Sequence, residues 1–66
     1  MLRIQKVLAE KGLSQSKAAR LSAVNQTSFS RIVRGKEPPF PKRGQRIADA
    51  LGWDGDWQSL FEEVGE

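Results

Sequence analysis

The chain has 66 residues, which is enough for one domain spanning 1–66, and it contains no cysteine and no histidine. The missing thiols exclude a disulfide framework, and together with the missing imidazoles they exclude most zinc sites and the common histidine-based catalytic groups, so we expect no metal, no cofactor and no enzymatic activity. With a formal net charge of +3 and no apolar run longer than three residues, the protein is expected to be cytoplasmic, without a membrane-spanning segment.

Three short helices are predicted for the first half of the chain. Apolar side chains recur at the spacing of one helix face over 2–11, and a glycine follows. Ser14 and Asn25 are suited to cap the next two helices, because their side-chain oxygens can accept backbone N–H groups that have no partner within the helix. The segments that follow these two caps predict helices over 15–21 and 26–34.

The second half begins with a loop over 36–42, because its three prolines cannot lie within a continuous helix. Pro41 is suited to the first position of a fourth helix, which Gly52 ends. A fifth helix is expected after Asp54 or Asp56. Its apolar stripe consists of Trp57, Leu60, Phe61 and Val64. The predicted fold is therefore all-α, a small bundle of five helices without a β-sheet.

The charges are divided unevenly along the chain. Residues 1–46 hold all 11 Lys and Arg with two acids, a net charge of +9, whereas residues 47–66 hold six acids and no base. Such an excess of positive charge in one part of a chain favours a polyanionic partner. The alternative is that both groups of charges are only a solvated surface.

Two short helices joined by about three residues are the outline of a helix-turn-helix. The stretch 15–35 resembles the helix-turn-helix of the phage repressor and Cro proteins, and 47–53 resembles the fourth helix of that family. The residues at the family's characteristic positions are Gln15, Ala19, Ala23, Val24, Phe29, Ile32 and Gly35. Ala23 departs from the usual glycine, which implies strain of roughly 1–2 kcal/mol if its backbone is left-handed, and Phe29 is larger than the usual aliphatic residue. The resemblance implies a lambda repressor-like fold that binds duplex DNA.

The predicted helix over 26–34 has two opposite faces. At about 100° per residue, Phe29 and Ile32 fall on the core face, and a polar face without carboxylates lies roughly opposite. That polar face holds Gln26, Thr27, Ser30, Arg31 and Arg34. The resemblance implies that three of its residues reach base edges, namely Gln26, Thr27 and Arg31. Their chemistry is suited to this role, because Gln can pair with adenine and Arg with guanine through two hydrogen bonds.

Other residues are predicted to contact the DNA backbone. By resemblance, Gln15 contacts a phosphate, and residues around the third helix and the proline loop supply further contacts. The predicted set is Gln15, Asn25, Ser30, Arg34, Lys36, Lys42 and Arg43. For Gln15 and Ser30 the alternative is a side chain that is only solvated. Trp53, Trp57 and Phe61 lie in the acidic segment, which would repel phosphates, so we interpret them as core or dimer contacts.

These observations predict sequence-specific binding of double-stranded DNA by a transcriptional regulator of phage or prophage type, which occupies an operator through the helix at 26–34. One alternative is the DNA-recognition domain of a transposition or toxin–antitoxin system. Another, of a different class, is a protein-interaction module that docks through its acidic C-terminal helix and binds no DNA. The apolar stripe of the fifth helix is the candidate face for a homodimer, with closure of the protein's own core as the alternative.

Overall fold

The computed structural model describes residues 1–39 and 41–65, and in these ranges it contains four α-helices and one 3₁₀ helix. They are α1 (Arg3–Lys11), α2 (Gln15–Leu21), α3 (Gln26–Val33), α4 (Pro41–Leu51) and the 3₁₀ helix (Trp57–Phe61). The predicted all-α class is confirmed, because the described ranges contain no β-strand and only an isolated bridge between Leu2 and Glu63. None of these helices is long and apolar enough to cross a membrane.

Side chains cap the two helices of the predicted helix-turn-helix. Ser14 Oγ accepts a hydrogen bond from the backbone N–H of Lys17 at 3.1 Å. Asn25 Oδ1 accepts from the N–H groups of Thr27 and Ser28, at 2.9 and 3.3 Å. Both predicted caps are confirmed, and each fixes the residue at which its helix begins.

All four α-helices end in the same hydrogen-bonded turn. In each, a residue with positive φ donates its N–H to the carbonyl three residues earlier, and the next residue donates to the carbonyl five residues earlier. The residues with positive φ are Gly12, Ala23, Gly35 and Gly52, at 65°, 57°, 77° and 66°. Ala23 is the exception among them, since its Cβ makes the left-handed conformation costly. The strain that the sequence implied for a left-handed alanine is therefore present.

We expect Ala23→Gly to stabilise the protein by about 0.5–1 kcal/mol. Glycine relieves a strain of roughly 1–2 kcal/mol, and the extra flexibility it gives the unfolded chain offsets part of that gain. Urea unfolding followed by circular dichroism measures the difference. Ala9→Gly, at an exposed position inside α1, is the matched control and should destabilise by about 0.5–1 kcal/mol. A loss of stability from Ala23→Gly would contradict the left-handed turn.

The core is built from one face of each α-helix together with Leu60 of the 3₁₀ helix. Phe29 is the largest of its fully buried side chains, so the ring lies wholly inside the protein. Ala18 and Ala19 are buried on α2, which packs against α3. The buried apolar residues are Ile4, Val7, Leu8, Ala18, Ala19, Val24, Phe29, Ile32, Val33, Ile47, Ala48, Leu51 and Leu60. This core fixes the angle at which α3 lies on the rest of the molecule.

The prediction of a fifth α-helix is wrong. Asp56 caps the segment, as one of the two predicted alternatives, because its Oδ1 accepts the N–H of the second helical residue at 3.1 Å. The helix is a 3₁₀ helix of five residues, however, and it ends at Phe61. Glu62 is already extended, with φ −83° and ψ 147°. Val64 therefore lies outside the helix on which the sequence placed it.

The physical reason is that the C-terminal segment pairs with the N-terminus of the chain. The backbone N–H of Arg3 donates to the Glu62 carbonyl at 2.9 Å, and the N–H of Val64 donates to the Met1 carbonyl at 2.8 Å. The N-terminal ammonium group also pairs with the Glu63 carboxylate at 2.6 Å. These contacts satisfy backbone N–H and carbonyl groups that would otherwise form hydrogen bonds within a longer helix.

The apolar stripe of this segment lies against the protein's own core. Leu60 is fully buried, and the rings of Trp57 and Phe61 meet edge to face with their centroids 6.1 Å apart. The Trp57 ring covers Gly44 of α4 so closely that an added Cβ would overlap three of its atoms. Of the two interpretations of the stripe, closure of the core is confirmed for Leu60, Trp57 and Phe61, of which the two rings are only partly buried. A homodimer through this face stays a prediction.

Candidate nucleic-acid interface

The outer face of α3 carries the residues predicted to reach DNA. Phe29, Ile32 and Val33 are buried on its inner side, with at most 1% of their surface exposed. The outer face presents Gln26, Thr27, Arg31 and Arg34 as exposed residues and Ser30 as a half-buried one. The two faces predicted from helical spacing are thus confirmed. Because Asn25 caps the helix, the first turn that holds Gln26 and Thr27 is fixed in place.

A shallow depression runs along this outer face. It is lined by Gln26, Thr27, Ser30 and Arg34. The Nε of Arg34 donates to the Ser30 carbonyl at 3.3 Å, which holds the base of its guanidinium along the helix. Arg31 is not among the lining residues, and it points instead toward the proline loop, where Glu37 lies. The face therefore has a polar part and a separate part formed by Arg31.

The start of α2 adjoins the same surface. Gln15, the first residue of α2, lines a second depression together with Arg34 and residues of α1. Since Arg34 lines both depressions, Gln15 lies beside the outer face of α3. This is the arrangement that a phosphate contact from Gln15 requires. The cap formed by Asn25 uses only its amide oxygen, so the amide NH₂ of that exposed side chain is the group that can donate to a phosphate.

Gln5 of α1 holds the other end of α3, a role that the sequence did not predict. Its Nε2 donates to the backbone carbonyl of Val33 at 2.7 Å. That carbonyl belongs to the last residue of α3, where carbonyls have no partner within the helix. In the sequence Gln5 only follows Ile4 of the apolar face of α1, and this position does not identify a partner 28 residues away.

Four basic residues surround the end of α3 and the start of α4. They are Arg34, Lys36, Lys42 and Arg43. Lys36 and Lys42 are exposed, and Lys42 and Arg43 lie in the first turn of α4, which contains no acidic residue. The N-terminus of a helix carries partial positive charge of its own. This end of the molecule is therefore suited to phosphate groups.

Glu37 brings a carboxylate into this basic region. Arg43 Nη1 donates to Glu37 Oε2 at 2.9 Å, and Arg31 Nη1 lies 3.9 Å from Glu37 Oε1. The outer face of α3 itself holds no acid, as the sequence indicated, but the loop that follows supplies one. The signal for Glu37 was its charge, because it is one of only two acids among residues 1–46. Its two arginine partners follow from the path of the loop.

Comparison with known proteins identifies the family. A family model described as a helix-turn-helix domain matches residues 1–60, which include all four α-helices and all but the last residue of the 3₁₀ helix. No curated protein and no solved structure gives a significant match to the chain. The matched region contains the whole candidate surface, from Gln15 to Arg43. The chain therefore belongs to the helix-turn-helix domain family.

Proposed function

We propose that this protein binds double-stranded DNA with sequence specificity and acts as a transcriptional regulator of the phage repressor and Cro type by occupying an operator. The observation that carries the proposal is the outer face of α3, which presents exposed hydrogen-bonding side chains and two arginines on a capped helix. An α-helix fits the major groove of B-DNA, where each base pair shows a distinct pattern of donors and acceptors. The proposed role is binding, without a catalytic step.

Gln26, Thr27 and Arg31 are the proposed base contacts. Gln26 and Thr27 lie in the first turn of α3, and the N-terminal residues of a recognition helix are the ones that meet base edges in this motif. Arg31 lies one turn later, with 58% of its side chain exposed. Its planar guanidinium can bond to both N7 and O6 of one guanine, and the Gln26 amide can bond to N6 and N7 of one adenine.

The proposed backbone contacts are arranged around these three residues. Gln15, Asn25 and Ser30 are neutral groups that can each donate a hydrogen bond to a phosphate oxygen. The charged members of the set are Arg34, Lys36, Lys42 and Arg43. Such contacts fix the position of the protein on the duplex and carry no sequence information of their own.

Arg31→Ala is expected to weaken binding to the best site by about 1–3 kcal/mol and to relax the preference at one base pair. Arg43→Ala should weaken binding to all sequences alike and make the slope of log K against log salt less steep by about one. Lys42→Ala is the comparison for Arg31→Ala, because it removes the same charge from a proposed backbone contact and should weaken binding to all sequences alike. Unlike Arg43, whose guanidinium donates to Glu37, Lys42 can be changed without removing the hydrogen-bond partner of that carboxylate. Affinities for the best site and its single-base variants, at several salt concentrations, measure all three variants.

The contrast between these variants decides which residues contact bases. Equal losses on every duplex for Arg31→Ala and Lys42→Ala would show that α3 does not read bases through Arg31. That result would be compatible with DNA binding but would contradict the assignment of Arg31 as a base contact.

Selection of bound sites from random duplexes is the experiment that tests the proposal as a whole. An operator-binding regulator should select one sequence motif, and a homodimer should select two half-sites about 34 Å apart. The DNA-recognition part of a transposition or toxin–antitoxin system would bind DNA by the same chemistry, but its regulatory effect would depend on a second protein. A protein-interaction module would select no DNA. No specific observation favours the last, since Glu62 and Glu63 already pair with Arg3 and the N-terminal ammonium group.

A further inference from the structure

Glu37 is placed so that each of its carboxylate oxygens faces a different arginine. Oε2 accepts a hydrogen bond from Arg43 at 2.9 Å, and Oε1 lies 3.9 Å from Arg31, which is an ion pair without a hydrogen bond. The Glu37 side chain is 25% exposed, compared with 63% for Glu62 and 75% for Glu63 in the other ion pairs. Glu37 is thus the most enclosed of these three acids.

The loop holds this carboxylate in a defined place. Pro38 follows Glu37 directly, and the residue before a proline is restricted to extended backbone conformations. On the other side, the N–H of Lys36 donates to the Arg31 carbonyl at 2.9 Å, which anchors the start of the loop to α3. The carboxylate is therefore presented to Arg31 by a backbone with little freedom of its own.

The position of Glu37 has two opposite effects on DNA binding. A negative charge beside the basic residues offsets part of their attraction for phosphates, which weakens binding to every duplex alike. The same charge attracts one side of the Arg31 guanidinium and leaves its remaining N–H groups free for a base. Holding a flexible side chain near its bound orientation lowers the entropy lost on binding, and this gain is realised only where a guanine accepts the hydrogen bonds.

We propose that Glu37 is a specificity-determining residue, which positions Arg31 for base recognition and lowers the affinity of the protein for unrelated DNA. This inference rests on the proposed function, because it requires that Arg31 contacts a base. Glu37 touches no base in the proposed arrangement and acts through the arginine.

Glu37→Gln tests the proposal, since it removes the charge and keeps the size of the side chain and a hydrogen-bond acceptor. Binding is measured to the best selected site, to its single-base variants and to an unrelated duplex, at several salt concentrations. We expect about threefold to tenfold tighter binding to the unrelated duplex, with a salt slope steeper by about one, because one more cation is left unopposed. Discrimination at the base pair contacted by Arg31 should fall about threefold to tenfold, and discrimination at other positions should stay unchanged.

Two further variants distinguish the positioning of Arg31 from a general effect of net charge on DNA binding. Glu10→Gln makes the same change of net charge at an exposed position of α1, and it should leave discrimination unchanged. Glu37→Gln is also made in the Arg31→Ala background, where it should still tighten binding to the unrelated duplex but cause no further loss of discrimination. The melting temperature of each variant shows whether it is folded under the binding conditions.

The outcomes for the proposed function and for this inference can be told apart. A wild-type protein that prefers no site would overturn both, and it would do so before any variant is made. Preference in the wild type combined with equal behaviour of Glu37→Gln and Glu10→Gln would overturn the role of Glu37 alone. A lower melting temperature with equal losses on all duplexes would assign Glu37 a purely structural role and would also overturn the inference.

Discussion

Raising the salt concentration from about 50 mM to about 200 mM is expected to weaken binding of this protein to duplex DNA by about 60-fold to 1,000-fold. Each Lys or Arg that neutralises a phosphate releases a counterion, so log K falls linearly with log salt. With three to five such contacts assumed for each chain, the slope is about −3 to −5. The cations proposed for these contacts are Arg34, Lys36, Lys42 and Arg43, around the end of α3 and the start of α4. Arg31, the proposed base contact, adds a fifth positive charge beside them.

The slope also shows how many of these cations neutralise a phosphate. Glu37 offsets part of the charge of Arg31 and Arg43, which places the expected slope nearer −3 than −5. Lys36→Ala should make it less steep by about one. Because salt also screens the ion pair of Glu63 with the N-terminus, circular dichroism at each salt concentration is the control for folding. A flat dependence in a folded protein would remove DNA as the partner and favour a protein-interaction module.

Features that depend on neighbouring residues could be predicted from the sequence. Ser14 and Asn25 cap the helices that follow them, because the N–H groups they accept lie only two or three residues further on. The two faces of α3 follow from helical spacing alone, so the exposed positions of Gln26, Thr27 and Arg31 were predictable. The family match supports the same motif. Contact of these side chains with bases stays a prediction, since it also depends on how the protein docks on a groove.

Features that depend on distant residues could not be predicted. The C-terminal segment has the apolar spacing of an α-helix, but its backbone bonds to Met1 and Arg3 at the other end of the chain. No local pattern identifies such a partner. The two ion pairs of Glu37, with Arg31 and Arg43, likewise depend on the path of the proline loop, which brings together residues of α3 and α4.

Gly44→Ala is expected to lower the free energy of unfolding by about 3 kcal/mol, which corresponds to a fall in melting temperature of about 12–24 °C for a domain of this size. Replacing a glycine inside a helix by alanine ordinarily stabilises the helix by up to about 1 kcal/mol. The opposite sign is expected here because an added Cβ would overlap three atoms of the Trp57 ring. The ring lies partly buried against the core and edge to face with Phe61, so moving it aside disturbs other contacts.

Thermal and urea unfolding measure the loss, and a double-mutant cycle with Trp57→Leu identifies its cause. The smaller leucine leaves room for a Cβ at position 44, so the double variant should be more stable than the sum of the two single losses allows. Its DNA affinity, measured where all variants are folded, reports on the first turn of α4, because Lys42 and Arg43 immediately precede Gly44. Strictly additive losses would mean that the cost of the added Cβ does not arise from the Trp57 ring. In that case the packing of Trp57 on Gly44 would not be what fixes the turn that carries the proposed phosphate contacts.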